Sequence, residues 1–175
     1  TDELTNDKKD AMNQLYDQGK FQQYDGILRD LGNPSCDDPT AVGARALMMA
    51  GYLNCYGTVL NKDPEDPTGW KPKGNMSEGA VVVAAAKCRI GKVVNPNEDA
   101  HGKYSLIKEL EVPFSSVRKM MVTFHNCAQG KPGMLEGVNF GENAKDAKAF
   151  AIVKGAPEMI MPIARYSVTN GGAMD

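Results

Sequence analysis

No stretch of this sequence approaches the roughly 20 consecutive apolar residues needed to cross a bilayer. The purest run, Gly79 to Ala86, is far too short. Thr1 to Asp10 is polar and of mixed charge, without the apolar centre of a secretory leader, so a soluble chain is expected. Surplus charge is lacking too. Lys and Arg number 20 against 22 Asp and Glu, a formal net charge of −2. A general polyanion binder draws its affinity from a large basic excess, so nucleic acid is excluded as a partner. Histidine is scarce, with only His101 and His125. The cysteines Cys36, Cys55, Cys88 and Cys127 form no C-x-x-C pair, and a structural zinc site finds no supporting spacing. Reduced thiols are expected, with Cys55 and Cys88 as small core residues. Also missing are a G-K-[ST] phosphate loop, a G-x-G-x-x-G turn and a G-x-S-x-G elbow, which argues against a self-sufficient hydrolase.

What is present is ordinary globular material. The 175 residues are 42% hydrophobic and 24% charged, enough for one domain with its own core. Residues 1–35 read as a peripheral, polar helical segment with an intermittent stripe of Leu15, Phe21, Tyr24, Ile27, Leu28 and Leu31, ended by Gly32-Asn33-Pro34. The core is expected over 36–165. A helix is predicted from Pro39 to Tyr56, with Asp37 and Asp38 at its positive end and Ala46, Leu47, Ala50 and Leu53 at helical spacing. Asn61 to Asn75, rich in Pro, Gly, Asp and Lys, reads as a loop that includes Trp70. Ser77 to Cys88 reads as a helix capped by Ser77, despite three consecutive valines.

Beyond Ser105 the period turns to two. Strands are predicted from Leu106 to Phe114 and from Arg118 to His125, joined by a tight Ser115-Ser116-Val117 hairpin. Asn126 to Asp146 reads as a long loop. A third strand, Lys148 to Lys154, runs into a helix started by Pro157. Helices, then strands with a hairpin, then a helix predict an α+β domain, with a twisted antiparallel sheet flanked by helices.

Three short segments carry chemistry. They are Gly74-Asn75-Met76-Ser77-Glu78-Gly79-Ala80, Val112-Pro113-Phe114-Ser115-Ser116-Val117-Arg118-Lys119-Met120-Met121, and Ala151-Ile152-Val153-Lys154-Gly155-Ala156-Pro157-Glu158. Taken singly, Phe114 reads as a core or edge aromatic, Lys119 and Lys154 as solvated strand ends, and Glu78 as a first-turn carboxylate. In this order, however, the three segments resemble the nucleotide-binding domain of P-type cation-transporting ATPases. The last is that family's K-G-A-P-E signature, the second is similar to its F-[SN]-S-x-[RK]-[KR]-x-M segment, and the first resembles its G-[DE]-x-[ST]-E-x-A helix start. Asn75 stands where the family commonly has an acidic residue. The resemblance spans about half the chain and is closest to the branch that pumps Ca²⁺, Na⁺ or K⁺.

The resemblance implies an ATP pocket. Phe114 would stack on adenine, and Lys119 and Lys154 would complement the nucleotide's negative charge. Gly155 and Ala156 would let the backbone approach base or ribose, and Glu78 would accept a hydrogen bond from the adenine amino group. Arg118 is the next candidate for phosphate, and Ser77 either assists or only caps its helix. The family's D-K-T-G-T and T-G-E-S motifs are absent. The resemblance therefore implies a cytosolic fragment of a larger membrane-bound pump. The fragment binds ATP, works with phosphorylation and actuator domains and with Mg²⁺ in the complete pump, and does not turn ATP over alone. Two alternatives stay open: a non-catalytic α+β interaction module without nucleotide affinity, and a stand-alone kinase or ATPase.

Overall fold

The computed structural model of the chain describes residues 37–65, 70–88, 90 and 100–168. The helical segment expected over residues 1–35 lies outside them. The expected α+β architecture is present: antiparallel sheets flanked by helices. Helix α1, Pro39–Leu53, is started by Asp38, whose side chain accepts a 3.0 Å hydrogen bond from the Ala41 N–H, and by Pro39 at a position with no intrahelical partner to lose. Its buried residues Ala41, Arg45, Ala46, Met49, Tyr52 and Leu53 form one stripe against the core.

The segment expected as a loop from Asn61 to Asn75 contains a hairpin instead. Strand β1, Val59–Lys62, pairs antiparallel with β2, Trp70–Lys73. Leu60 of this pair packs against the main core, and backbone bonds join the two strands, whose sequence carries no apolar alternation to betray them. Helix α2, Met76–Lys87, follows, as predicted in spite of the valines. Its cap differs from expectation. Asn75 Oδ1 accepts from the Ser77 and Glu78 N–H groups at 2.9 and 3.3 Å, so Asn75 caps the helix and Ser77 lies inside it, exposed. Val82 and Ala85 face the core with Leu53, Cys55 and Cys88.

A short helix α3, Ala100–Lys103, and a 3-10 turn, Lys108–Leu110, lead into the main sheet. That sheet has the order β3-β4-β7, all antiparallel: β3 is Val112–Ser115, β4 is Met120–Asn126 and β7 is Ala149–Gly155. The first expected strand is thus shorter than predicted, with Leu106 contributing only an isolated bridge to His125. The expected three-residue hairpin is longer as well. Residues 116–119 form the turn, Lys119 takes a positive φ of 52°, and β4 begins at Met120 rather than Arg118.

The stretch expected as one long loop from Asn126 to Asp146 holds a small hairpin, β5 Met134–Leu135 with β6 Val138–Asn139. Its two turn residues, Glu136 and Gly137, both have positive φ, the geometry that a right-handed pair of strands requires. Glu136 is anchored there by Tyr104 Oη and Lys103 Nζ, which donate to Oε1 at 2.9 and 2.6 Å. The chain then enters β7 and the one-turn helix α4, Pro157–Ile160, begun by Pro157 as predicted.

Candidate functional site

Lys154 lies near the end of β7, opposite Met121 of β4. Alternation places Met121, Thr123 and His125 on one face of the sheet with Lys154, Ile152 and Phe150. That face meets the C-terminal end of α1. There Asn54 Nδ2 donates to Thr123 Oγ1 and to the Ile152 carbonyl, each at 3.0 Å. His125 continues the buried chain. The Tyr104 carbonyl can only accept, so His125 Nδ1 donates to it at 3.1 Å, leaving Nε2 to accept from Thr123 Oγ1 at 3.0 Å. Burial lowers the imidazole pKa below its usual value and outweighs the Tyr104 carbonyl, so the ring is neutral.

This polar spine gives Lys154 a fixed seat. Its Nζ donates to the Asn54 carbonyl at 3.0 Å and to Glu78 Oε1 at 2.6 Å, with Cys55 Sγ at 3.7 Å. The ion pair is partly shielded, with the Lys154 side chain 35% exposed and that of Glu78 19%. Helix α2 presents Glu78 from its first turn, and the second carboxylate oxygen accepts from Thr58 Oγ1 at 2.7 Å. Burial works against the charged carboxylate. The hydrogen bonds from Lys154 and Thr58, with the lysine's charge, outweigh it and hold the Glu78 pKa below its ordinary value. Burial also pushes the Cys55 thiol up, against the opposing effect of Lys154.

Phe114 sits on β3, the edge of the sheet, with 62% of its surface exposed, whereas Phe150 and Tyr104 are buried in the core. Val112 pairs with Val122 and Ser115 with Met120, so β3 carries one extra residue between them. The bulge re-aims the strand. Pro113 and Phe114 lie between those two pairs, two residues against the single Met121 of β4, which pairs with Lys154 of β7.

The turn after β3 holds the remaining cations. Arg118 Nη2 donates to the Pro113 carbonyl at 2.7 Å, and Lys119 Nζ lies 3.2 Å from Glu158 Oε1, an exposed ion pair. Gly155 and Ala156 are drawn to the same turn. A side chain at Gly155 would meet the Lys119 carbonyl at 2.3 Å, and the Ala156 N–H donates to that carbonyl at 3.0 Å. The small residues of K-G-A-P-E thus bring β7 against the Lys119 turn. The structure therefore brings Glu78 and Lys154 into direct contact, places Phe114 on the edge strand of the same sheet as Lys154, and gathers Lys119, Gly155, Ala156 and Glu158 at one end of the sheet. Ser77 makes no side-chain contact with this group.

The sequence reading missed the corner after α1. Asn54, Cys55 and Thr58 form the seat of the Lys154–Glu78 pair, and Tyr56 Oη donates to Glu111 Oε2 just before β3. That bond to Glu111, with burial and the charges of Glu111 and Glu78, pushes the Tyr56 pKa up to about 12. Among the described residues, no group of three or more His, Cys, Asp or Glu side chains could hold a metal ion. No helix of the described residues is long and apolar enough to cross a membrane.

Residues 44–174 match the family described as P-type ATPase, cytoplasmic domain N. The chain is similar to a protein named P-type sodium-transporting ATPase4 from Toxoplasma gondii, 44% identical over 168 residues, covering 89% of this chain and 12% of the relative. It is also similar to the protein of the same name from Plasmodium falciparum, 38% identical over 168 residues, covering 92% of this chain and 12% of the relative. No solved structure gives a significant match. The chain thus spans about an eighth of the length of these curated relatives (12% of each). The matched region runs from within α1 through the strand and helix of the K-G-A-P-E segment, and the chain belongs to the family of P-type ATPase cytoplasmic N domains.

Proposed function

We propose that this chain is the ATP-capturing domain of a cation-transporting P-type pump. The observation that carries the proposal is an exposed Phe114 on the edge strand of the sheet whose β7 holds Lys154, which is itself seated on Glu78. Phe114 offers a face for adenine. Glu78 keeps lone pairs for the adenine amino group, and Lys154 and Lys119 stand ready for the phosphates, with Arg118 beside them. Gly155 and Ala156 keep the ground between Lys154 and Lys119 low. Lysine suits such a site because it is a mobile point charge, able to release a phosphate that must move on.

In the parent pump the domain carries ATP to a separate phosphorylation domain, where an aspartate accepts the γ-phosphate. Such transfers depend mainly on positioning and on neutralising charge, and Mg²⁺ supplies part of that neutralisation when bound to the nucleotide. The actuator domain of the same parent chain completes the cycle. The printed name of the two relatives makes sodium the cation we propose for the parent protein.

The test is a calorimetric titration of the chain and of Lys154→Gln with ATP and with adenosine. Losing a charged hydrogen bond to phosphate should weaken ATP by about tenfold or more. Adenosine, which has no phosphate, should lose much less. ATP affinity that is the same in both proteins would overturn the role of Lys154.

A further inference from the structure

We infer that Thr58 is a positioning residue that sets the base selectivity of the site, acting through Glu78. This rests on the ATP reading above and assigns a determinant that no part of the K-G-A-P-E, F-S-S-x-R-K or S-E-G-A segments contains. Thr58 is 4% exposed and lies immediately before β1. Its hydroxyl has one proton and two lone pairs. The Asn75 N–H can only donate, and it reaches Thr58 Oγ1 at 3.2 Å. Glu78, held below its ordinary pKa, is a carboxylate and can only accept, so the Thr58 proton points to Glu78 Oε2 across 2.7 Å. The direction of the hydroxyl is therefore fixed from both sides.

The consequence falls on Glu78. A carboxylate tied to Lys154 through one oxygen alone would be free to turn its plane about that contact. With Oε1 held by Lys154 and Oε2 by Thr58, both oxygens are fixed and each retains acceptor capacity. Such a group suits an amino donor such as that of adenine. It opposes a base carrying a carbonyl at the same position, because two acceptors would then face each other. Selectivity of this kind is a difference of two affinities and depends on how rigidly the unfavourable contact is enforced. Gly74 completes the arrangement. With φ at +130°, and with an added Cβ only 2.6 Å from Thr58 Oγ1, its position admits no other residue without strain, and this lets the Asn75 N–H approach the hydroxyl.

The experiment titrates the 175-residue chain and its Thr58→Val and Thr58→Ser variants with ATP and with inosine triphosphate, which carries a carbonyl in place of the amino group. Wild type should prefer ATP. Thr58→Val should lower the ATP-to-inosine-triphosphate affinity ratio by about three- to tenfold, and Thr58→Ser should restore it. An unchanged ratio in Thr58→Val, an equal loss for both nucleotides, or no restoration by serine would overturn the inference. Thr58→Ala serves as a second hydroxyl-free variant. If neither it nor Thr58→Val kept the helical circular dichroism of wild type, the hydroxyl would be holding the fold rather than aiming Glu78, and the inference would fall. If wild type itself failed to bind ATP, the proposed function would fall first. Wild-type binding with an unmoved ratio would remove only the role of Thr58.

Discussion

Glu78 shows how much of this site depends on single contacts. Its carboxyl is partly buried, which alone would raise its pKa, yet Lys154 and Thr58 hold it down. A depressed acid pKa lends stability that is fully present above the unfolded value, about 4.3, and is lost as the pH falls through the folded value. Chemical denaturation between pH 7 and pH 3 should show this loss in wild type, and Glu78→Gln should flatten the acid limb of the profile. A limb unchanged by the substitution would mean that the Lys154–Glu78 contact adds nothing to the folded state. Phe114, Lys154 and Glu78 could be singled out from the sequence because each lies in a short contiguous segment. Thr58 and Asn54 could not. Thr58 lies 20 residues before Glu78 and Asn54 lies 100 before Lys154, in a corner with no periodic pattern. A threonine in a polar turn carries no mark of what its hydroxyl will meet.

Between elements, the informative differences concern ends and registers. Two residues at the start of α2 were chemically able to cap it, Ser77 and Asn75, and only geometry separates them. Asn75→Ala should cost about 1 kcal/mol in urea denaturation, while Ser77→Ala should fall within about 0.5 kcal/mol of wild type. The opposite order would return the cap to Ser77. Strands β4 and β7 were readable as short apolar-rich runs bounded by polar, turn-forming stretches, although β4 buries Thr123 and His125. The β1–β2 hairpin was not, since Lys71 and Lys73 are exposed and Pro72 interrupts any strand pattern. The bulge in β3, between Val112 and Ser115, left no trace either. His125 joins these elements. Its neutral ring links β4 to the Tyr104 carbonyl and, through Thr123, to Asn54 at the end of α1. A base whose pKa is lowered by folding lends stability that is full above its unfolded value of 6.5 and is lost as the pH falls toward the folded one. Stability should therefore decline below pH 6.5 in wild type, and the part of that decline due to this ring should vanish in His125→Gln. An identical decline in both would contradict a buried neutral imidazole.

The molecule as a whole has a near-neutral charge, and the site cations among the described residues are already paired or seated. A single nucleotide held by a few lysines asks for no more than this. Weak, exchangeable binding fits a domain that must pass its ligand on, and the chain, covering 12% of its curated relatives, should release no phosphate from ATP alone. The α+β class was readable from the order of helices and strands and the family from three segments in order, whereas the way the α1–β1 corner seats Lys154 and Glu78 required the fold. Titration of the chain with ATP, beside Phe114→Ala, tests the central claim most directly. Saturable binding in wild type, weakened by about 5- to 150-fold in the variant through the loss of base stacking, is the predicted result. No saturation at millimolar ATP, or equal affinity in the two proteins, would contradict the account.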